Sequence, residues 1–205
     1  MNSHEVVIVR TGSANLASVQ AAFDRLRIRT LVSDDPSEID RAHLLVLPGV
    51  GAFGPAMASL ERRGLVSLLQ SRVKDDRPTL AICLGLQLLC EASEESPGIG
   101  GLGLISGAAQ RFAADVRIPQ MGWNKVEVQE ARVLRSGAMY FANSYRLIDP
   151  PPGWTAAVTN YGGPFVSAIE RGNVVACQFH PELSGREGLD MLWRWLEVSA
   201  EAVTC

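Results

Sequence analysis

Residues 79–87 of this chain read Thr-Leu-Ala-Ile-Cys-Leu-Gly-Leu-Gln. The apolar run at 79–82 is typical of a buried strand, and the apolar stretch at 84–90 has the composition of a helix. Cys83 stands at the junction between them, and Gly85 follows two residues later. This layout predicts a nucleophile elbow, which is a tight strand-to-helix turn that lifts one side chain clear of a sheet.

Strand and helix signals alternate along the first half of the chain, as in a parallel sheet with helical crossovers. One helix is predicted from about residue 55 to 74, and the last helix of the chain from 187 to 198. In the second half, short strand signals are separated by glycine and proline. The pattern predicts an α/β fold in a single domain of residues 1–205, with a mostly parallel sheet that antiparallel strands extend.

The overall composition excludes several classes of function. The net charge is −3 and no basic cluster is present, which argues against nucleic acid as a partner. No apolar run reaches the roughly 18 residues of a membrane span, and the first residues lack the positive flank of a secretory signal. The four cysteines have neither disulfide-framework nor metal-binding spacing. We therefore expect a cytoplasmic protein with no membrane contact, no metal and no cofactor.

A second motif, Gln178-Phe179-His180-Pro181-Glu182, lies far from the elbow in sequence. It offers an imidazole base and, two residues later, a carboxylate that can orient the ring. With the thiol of Cys83, these groups are the parts needed to attack an amide carbonyl. Each also has an ordinary structural explanation, because free cysteines are often buried and inert and a His-Pro-Glu turn is often only solvated. In combination they favour catalysis.

The glycine-rich segment at residues 48–54 follows another buried-strand signal. Glycines at the carboxyl end of a parallel strand allow backbone N–H groups to approach a ligand closely. One such amide, together with the amide of Leu84, would be able to stabilise a tetrahedral oxyanion. A plain Pro-Gly turn is also a reasonable explanation of this segment taken alone.

With these residues in place, the chain resembles the class I glutamine amidotransferases, which use a catalytic triad. The elbow and the motif at 178–182 carry this resemblance, which covers nearly the whole length. Within the class, the chain looks like the glutaminase subunits of imidazole glycerol phosphate synthases. That narrower similarity rests on four further segments, at residues 12–19, 48–51, 119–124 and 140–145.

The resemblance implies a three-layer sandwich and a set of site residues. The triad would be Cys83, His180 and Glu182. The oxyanion amides would be those of Val50 and Leu84. The glutamine pocket would also include Gly51, Gln87, Ser144 and Tyr145. The residues at or near the face that docks a partner would be Asn15, Met121, Trp123 and Asn124.

The same resemblance implies an activity and a partner. Glutamine would be hydrolysed to glutamate and ammonia through a cysteine thioester. The ammonia would pass to a (β/α)8-barrel cyclase subunit, bound as a heterodimer, which would use it to form imidazole glycerol phosphate in histidine biosynthesis.

The chain departs from the pattern of the family at five positions. Arg10 stands where an acidic residue is usual, and Ala81 replaces a glycine. Gln120 and Asn143 each replace a common histidine, and Leu183 stands where a cation is usual. All of these except Ala81 fall in segments associated with the partner face, so we expect them to affect coupling to the partner more than the chemistry.

Three other functions are compatible with the same residues. The nearest is the same glutaminase chemistry serving a different synthase, such as one that aminates a surface sugar. The second is a stand-alone cysteine hydrolase similar to γ-glutamyl hydrolases. The third is a catalytically silent protein that keeps the fold and binds a partner.

Overall fold

The computed structural model describes residues 5–11, 15–113 and 115–201. Twelve strands, six α-helices and one short 3-10 helix are present in these residues. The strands are β1 (Val6–Val9), β2 (Thr30–Ser33), β3 (Leu44–Gly49), β4 (Thr79–Cys83), β5 (Cys90–Ser93), β6 (Ile105–Arg111), β7 (Gln120–Val126), β8 (Gly137–Asn143), β9 (Tyr145–Arg146), β10 (Thr155–Asn160), β11 (Pro164–Arg171) and β12 (Val174–Cys177). The helices are α1 (Leu16–Arg25), α2 (Pro36–Arg41), α3 (Phe53–Arg62), α4 (Val66–Lys74), α5 (Leu84–Leu89) and α6 (Gly185–Glu201).

The central sheet has seven strands in the order β10-β11-β12-β4-β3-β1-β2. The pairs from β12 to β2 are parallel, and β11 and β10 extend the sheet with antiparallel pairing. Smaller sheets are formed by β5-β6-β9 and by β7-β8. The predicted α/β fold, with a mostly parallel sheet extended by antiparallel strands, is therefore confirmed.

Two hydrophobic clusters cover the opposite faces of the central sheet, because successive residues of a strand point to opposite sides. One cluster joins the sheet to α2, α3, α4 and α5, and contains Leu45, Leu47 and Ala81. The other joins it to α1, α6 and the β7-β8 pair, and contains Leu80 and Ile82. The strands are thus enclosed between two layers, as expected for a three-layer sandwich.

The register of β3, β4 and β12 decides where the site forms. Gly49 at the end of β3 lies opposite Cys83 at the end of β4. Cys177 at the end of β12 lies opposite Ile82. Since the three strands run parallel, the segments that follow them emerge at the same edge of the sheet. This edge brings together residues that are almost a hundred positions apart.

The largest differences from the predicted elements concern two helices. The predicted helix at 55–74 is divided into α3 and α4 because Gly64, with φ +66°, adopts a left-handed conformation between them. The helix that was expected to include Cys90 ends at Leu89, and Cys90 begins β5. None of the helices in the described residues is long and apolar enough to cross a membrane.

Helix α5 packs so closely on β3 that side chains are excluded at two positions. A Cβ atom at Gly85 would lie 2.1 Å from the carbonyl oxygen of Leu47. A Cβ atom at Gly49 would lie 2.6 Å from the Cβ atom of Leu84. The glycine two residues after Cys83 is therefore required by the approach of the helix to the neighbouring strand.

Candidate active site

Cys83 occupies the turn between β4 and α5 with φ 54° and ψ −107°. A positive φ at a residue other than glycine costs roughly 1–3 kcal/mol, so the surrounding packing must hold it. The close contact between α5 and β3 provides that packing. The side chain is 6% exposed and lies at the first turn of α5, as predicted for a nucleophile elbow.

His180 and Glu182 are held together by a short 3-10 helix, Pro181–Leu183. The ring Nδ1 of His180 lies 2.8 Å from Oε1 of Glu182, and both side chains are almost fully buried. The backbone N–H of His180 donates to the carbonyl of Tyr140, and the Ser184 hydroxyl donates to the carbonyl of His180. The turn is therefore fixed against β8, and the ring is oriented by a carboxylate.

The imidazole of His180 and the thiol of Cys83 line the same cavity and interact electrostatically. Since Nδ1 faces Glu182, Nε2 is the ring nitrogen left to act on the sulfur. Burial of His180 lowers its pKa, but the hydrogen bonds and charges of Cys83 and Glu182 outweigh burial and raise the pKa to about 10. The ring is thus protonated at neutral pH and can stabilise negative charge that develops on the sulfur.

The other two described cysteines lack this environment. Burial raises the pKa of Cys90 to about 12. Burial, with the nearby charges of Glu182 and Cys83, raises the pKa of Cys177 well above its usual value. Both remain protonated at neutral pH, so among the described residues Cys83 is the cysteine suited to nucleophilic chemistry.

A cavity of about 280 Å³ opens beside Cys83. This volume is at the small end of the range for ligand pockets and suits a molecule of amino-acid size. Its walls come from the ends of β3 and β4, the start of α5, and the β8-β9 connection. The lining residues are Val50, Gly51, Cys83, Leu84, Gln87, Glu95, Ala142, Asn143, Ser144, Tyr145 and His180.

All the residues predicted for the pocket and the oxyanion amides line this cavity. Three lining residues were not predicted as ligand contacts, namely Glu95, Ala142 and Asn143. Glu95 uses Oε2 to accept a hydrogen bond from the backbone N–H of Phe53, 2.7 Å away. It follows β5 in a polar turn, where the sequence gives no signal of proximity to Cys83.

Gln178 also contacts the site, although it was not among the predicted site residues. Its side chain is completely buried, and its Nε2 lies 3.6 Å from Sγ of Cys83. The sequence did contain a signal, because Gln178 stands two residues before His180 in an extended segment. Residues two apart in an extended chain point to the same side.

The residues predicted for a partner face lie outside the main cavity. Asn15 lines a separate small cavity together with His180 and Glu182. Met121 and Trp123 project from β7 and are 68% and 56% exposed. Asn124 lies on the same strand, and its side chain donates a hydrogen bond to the carbonyl of Asn160.

The departures from the family pattern separate into surface and interior positions. Arg10 and Leu183 are exposed. Gln120 and Asn143 are buried and lie opposite each other in the β7-β8 pair. Asn143 donates to the carbonyl of Tyr145, whereas the Gln120 amide has no hydrogen-bond partner among the described residues. Asn143 is part of the cavity lining, so its replacement of a histidine changes the pocket wall.

A sheet edge that joins a cysteine elbow to a histidine and a glutamate is the arrangement of a triad amidotransferase. The family model described as "Glutamine amidotransferase class-I" matches residues 8–196. A crystal structure of a glutamine amidotransferase superposes with a TM-score of 0.78 at 20% identity, covering 95% of this chain and 98% of the other. The chain belongs to the class I glutamine amidotransferase family.

More specific similarity comes from curated relatives. The imidazole glycerol phosphate synthase subunit HisH of Methanothermobacter thermautotrophicus is 44% identical over 197 residues, which cover 94% of this chain and 98% of that protein. The imidazole glycerol phosphate synthase hisHF of Arabidopsis thaliana is 42% identical over 93% of this chain, which corresponds to 34% of that longer protein. Over nearly all of its length, the chain is therefore similar to the HisH subunits of imidazole glycerol phosphate synthases.

Replacing Glu182 by glutamine removes the charge beside His180 and keeps the size of the side chain. We expect the pKa of His180 to fall from about 10 by roughly 1–3. The measurement is an NMR titration of the ring, with the resonance assigned by its absence in a His180→Gln variant. Glu61→Gln, which removes an exposed carboxylate of α3, serves as the control. An unchanged pKa in the Glu182 variant would contradict the assigned effect of Glu182 on the ring of His180.

Proposed function

We propose that this chain is the glutaminase subunit of an imidazole glycerol phosphate synthase and that Cys83, His180 and Glu182 carry its chemistry. The observation that supports this most strongly is that His180, hydrogen-bonded to Glu182 and with its pKa raised by Cys83, lines a cavity of about 280 Å³ together with that cysteine. The similarity to HisH subunits over nearly the full length supports the choice of synthase.

In the proposed reaction, the thiolate of Cys83 attacks the side-chain carboxamide of glutamine. The backbone amides of Leu84 and Val50 are candidates to stabilise the oxyanion. The imidazolium of His180 gives its proton to the departing nitrogen, so ammonia leaves and a γ-glutamyl thioester remains. The neutral imidazole then takes a proton from water, which attacks the thioester and releases glutamate and the thiolate.

The cavity walls supply groups for the rest of the substrate. Gly51, Gln87, Ser144 and Tyr145 surround the space next to the sulfur. Glu95 adds a carboxylate to the same wall, and we propose that it attracts the α-ammonium group of glutamine. Its contact with the N–H of Phe53 fixes the position of this charge.

The proposed partner is a cyclase subunit with a (β/α)8-barrel, bound as a heterodimer. Free ammonia in water is mostly protonated and no longer nucleophilic, so transfer within a complex protects it. The candidate docking surface consists of Met121, Trp123 and Leu183, three large exposed apolar side chains, of which Leu183 lies in the His180 turn and Trp123 approaches Gly185 just after it. Such a surface has no evident use in a stand-alone hydrolase.

Leu183 offers this surface an apolar contact instead of a charge. It is 40% exposed and lies at the end of the turn that holds Glu182. A cyclase that binds here would need an apolar group opposite Leu183, since an unpaired buried charge would be costly.

A reactive thiol also requires a reducing compartment, which agrees with the cytoplasmic location predicted from the sequence.

Replacing Cys83 by alanine tests the proposed function. We expect glutamine-dependent turnover with the cyclase to fall by roughly a thousandfold or more, because the nucleophile is lost. Cys90→Ala, which removes a buried thiol of raised pKa, is expected to retain activity. Turnover with an ammonium salt as nitrogen donor shows that the cyclase is competent in both complexes. Survival of glutamine-dependent turnover in the Cys83 variant would refute the proposal.

Replacing Trp123 by alanine tests the candidate docking surface. We expect affinity for the cyclase to fall by roughly tenfold or more, as for a central aromatic contact. Trp193→Ala is a matched control, because Trp193 is 46% exposed but projects from α6. Isothermal titration calorimetry measures both affinities, and circular dichroism verifies the fold. Equal affinities for the two variants would place the interface elsewhere.

A further inference from the structure

The side chain of Gln178 connects the pocket wall to the sulfur of Cys83. It is completely buried, and its Nε2 lies 3.6 Å from Sγ of Cys83. Its Oε1 accepts a hydrogen bond of 3.0 Å from Nε2 of Gln87 on α5. The same Nε2 of Gln87 donates to the carbonyl oxygen of Tyr145 at 3.2 Å. Two side-chain amides thus lie in series between a backbone carbonyl and the thiol.

The order of these hydrogen bonds fixes which atom of Gln178 faces the sulfur. A backbone carbonyl can only accept, so the group of Gln87 that faces Tyr145 must be its NH2. The same NH2 faces Gln178, so the atom of Gln178 that meets it must be the oxygen. The nitrogen of Gln178 is then directed at Cys83. The oxygen and nitrogen of a side-chain amide have similar shapes, and here their hydrogen-bond partners distinguish them.

A fixed N–H donor next to a sulfur has a defined chemical effect. Hydrogen bonding to the charged form of a group favours that form. A thiolate accepts such a bond strongly, whereas a neutral thiol is a weak acceptor. The bond is also stronger in a buried site, where water does not compete for the donor. The Gln178 amide therefore favours the thiolate without adding a charge.

The backbone of Gln178 is fixed as well. Its N–H donates to the carbonyl of Ser167 in β11 at 2.8 Å. The donor is consequently held from both sides, by the sheet through its backbone and by α5 through Gln87. Little reorientation is needed when the thiolate forms, which is the condition for preorganised stabilisation of charge.

We propose that Gln178 is a further functional residue, whose amide stabilises and positions the thiolate of Cys83. This inference rests on the proposed role of Cys83 as nucleophile. Gln178 acts in addition to His180, because its amide is a separate donor that Gln87 holds next to the sulfur. The effect is a property of the chain itself and does not require glutamine or a cyclase.

The test is the pH dependence of Cys83 alkylation by iodoacetamide in the full chain without glutamine. Peptide mass spectrometry measures the rate at Cys83 separately from the other cysteines. We expect Gln178→Met, which keeps the length but removes the donor, to raise the midpoint of the rate profile by roughly 1–2 pH units. Gln178→Glu, which puts an acceptor beside the sulfur, is expected to raise the midpoint further.

The control is Gln70→Met, because the Gln70 amide donates to the carbonyl of Leu102 and not to a group of the site. We expect it to leave the midpoint unchanged. Loosened packing would accelerate alkylation at every pH, whereas loss of the donor moves the midpoint. A wild-type midpoint in folded Gln178→Met would overturn the proposal.

A measurement on the unmodified protein decides the matter if neither Gln178 variant folds. The side-chain NH2 resonances of Gln178 are expected to titrate with the midpoint observed for Cys83 alkylation. Resonances that do not respond across this pH range would overturn the proposal. Neither outcome depends on glutaminase activity, so the roles of Gln178 and Cys83 are tested separately.

Discussion

The contact between helix α5 and strand β3 is the constraint on which the rest of the site depends. Gly85 lies so close to the carbonyl of Leu47 that a Cβ atom would collide with the carbonyl oxygen. The helix can pack on the strand only because residue 85 has no side chain. With the helix held there, the chain must turn sharply at Cys83, and the positive φ of this residue follows. The thiol is consequently presented at the edge of the sheet where β3, β4 and β12 end together.

The second requirement is that the charges at this edge compensate one another. The carboxylate of Glu182, the ring of His180 and the thiol of Cys83 are all nearly buried, so an isolated charge among them would be costly. Because the pKa of His180 is raised to about 10, protonation of the ring favours the folded state. This contribution to stability is complete below about pH 6.5 and is lost as the pH rises through about 10.

Much of the fold and the central part of the site could be predicted from the sequence. The buried-strand signals, with Gly85 after the cysteine, define the elbow, and the topology of a parallel sheet brings the segments after β4 and β12 to one edge. Glu95 could not be predicted in this way, because it reaches the cavity from a turn after β5. The helix-like composition of 84–90 gives no indication that a strand begins at Cys90. The buried position of Gln120 was also hidden, since it depends on tertiary packing of β7 against β8.

Gln178 is an intermediate case. Its place in the motif and its alternation with His180 put it on the same side of the extended chain, but the direction of its amide depends on Gln87 and on the carbonyl of Tyr145. Those partners come from separate elements, 91 and 33 residues away in sequence. Sequence periodicity indicates which side a residue faces, whereas the hydrogen-bond partners of a buried amide are defined only by the assembled structure.

The central claim is that the sulfur at position 83 attacks glutamine. The most direct measurement is covalent labelling of the complex with a diazoketone analogue of glutamine, followed by mapping of the modified residue. The account predicts one label per chain, on Cys83, that appears in proportion to the loss of glutamine-dependent turnover and is prevented by excess glutamine. Loss of turnover with Cys83 unmodified, or with the label on another residue, would contradict it.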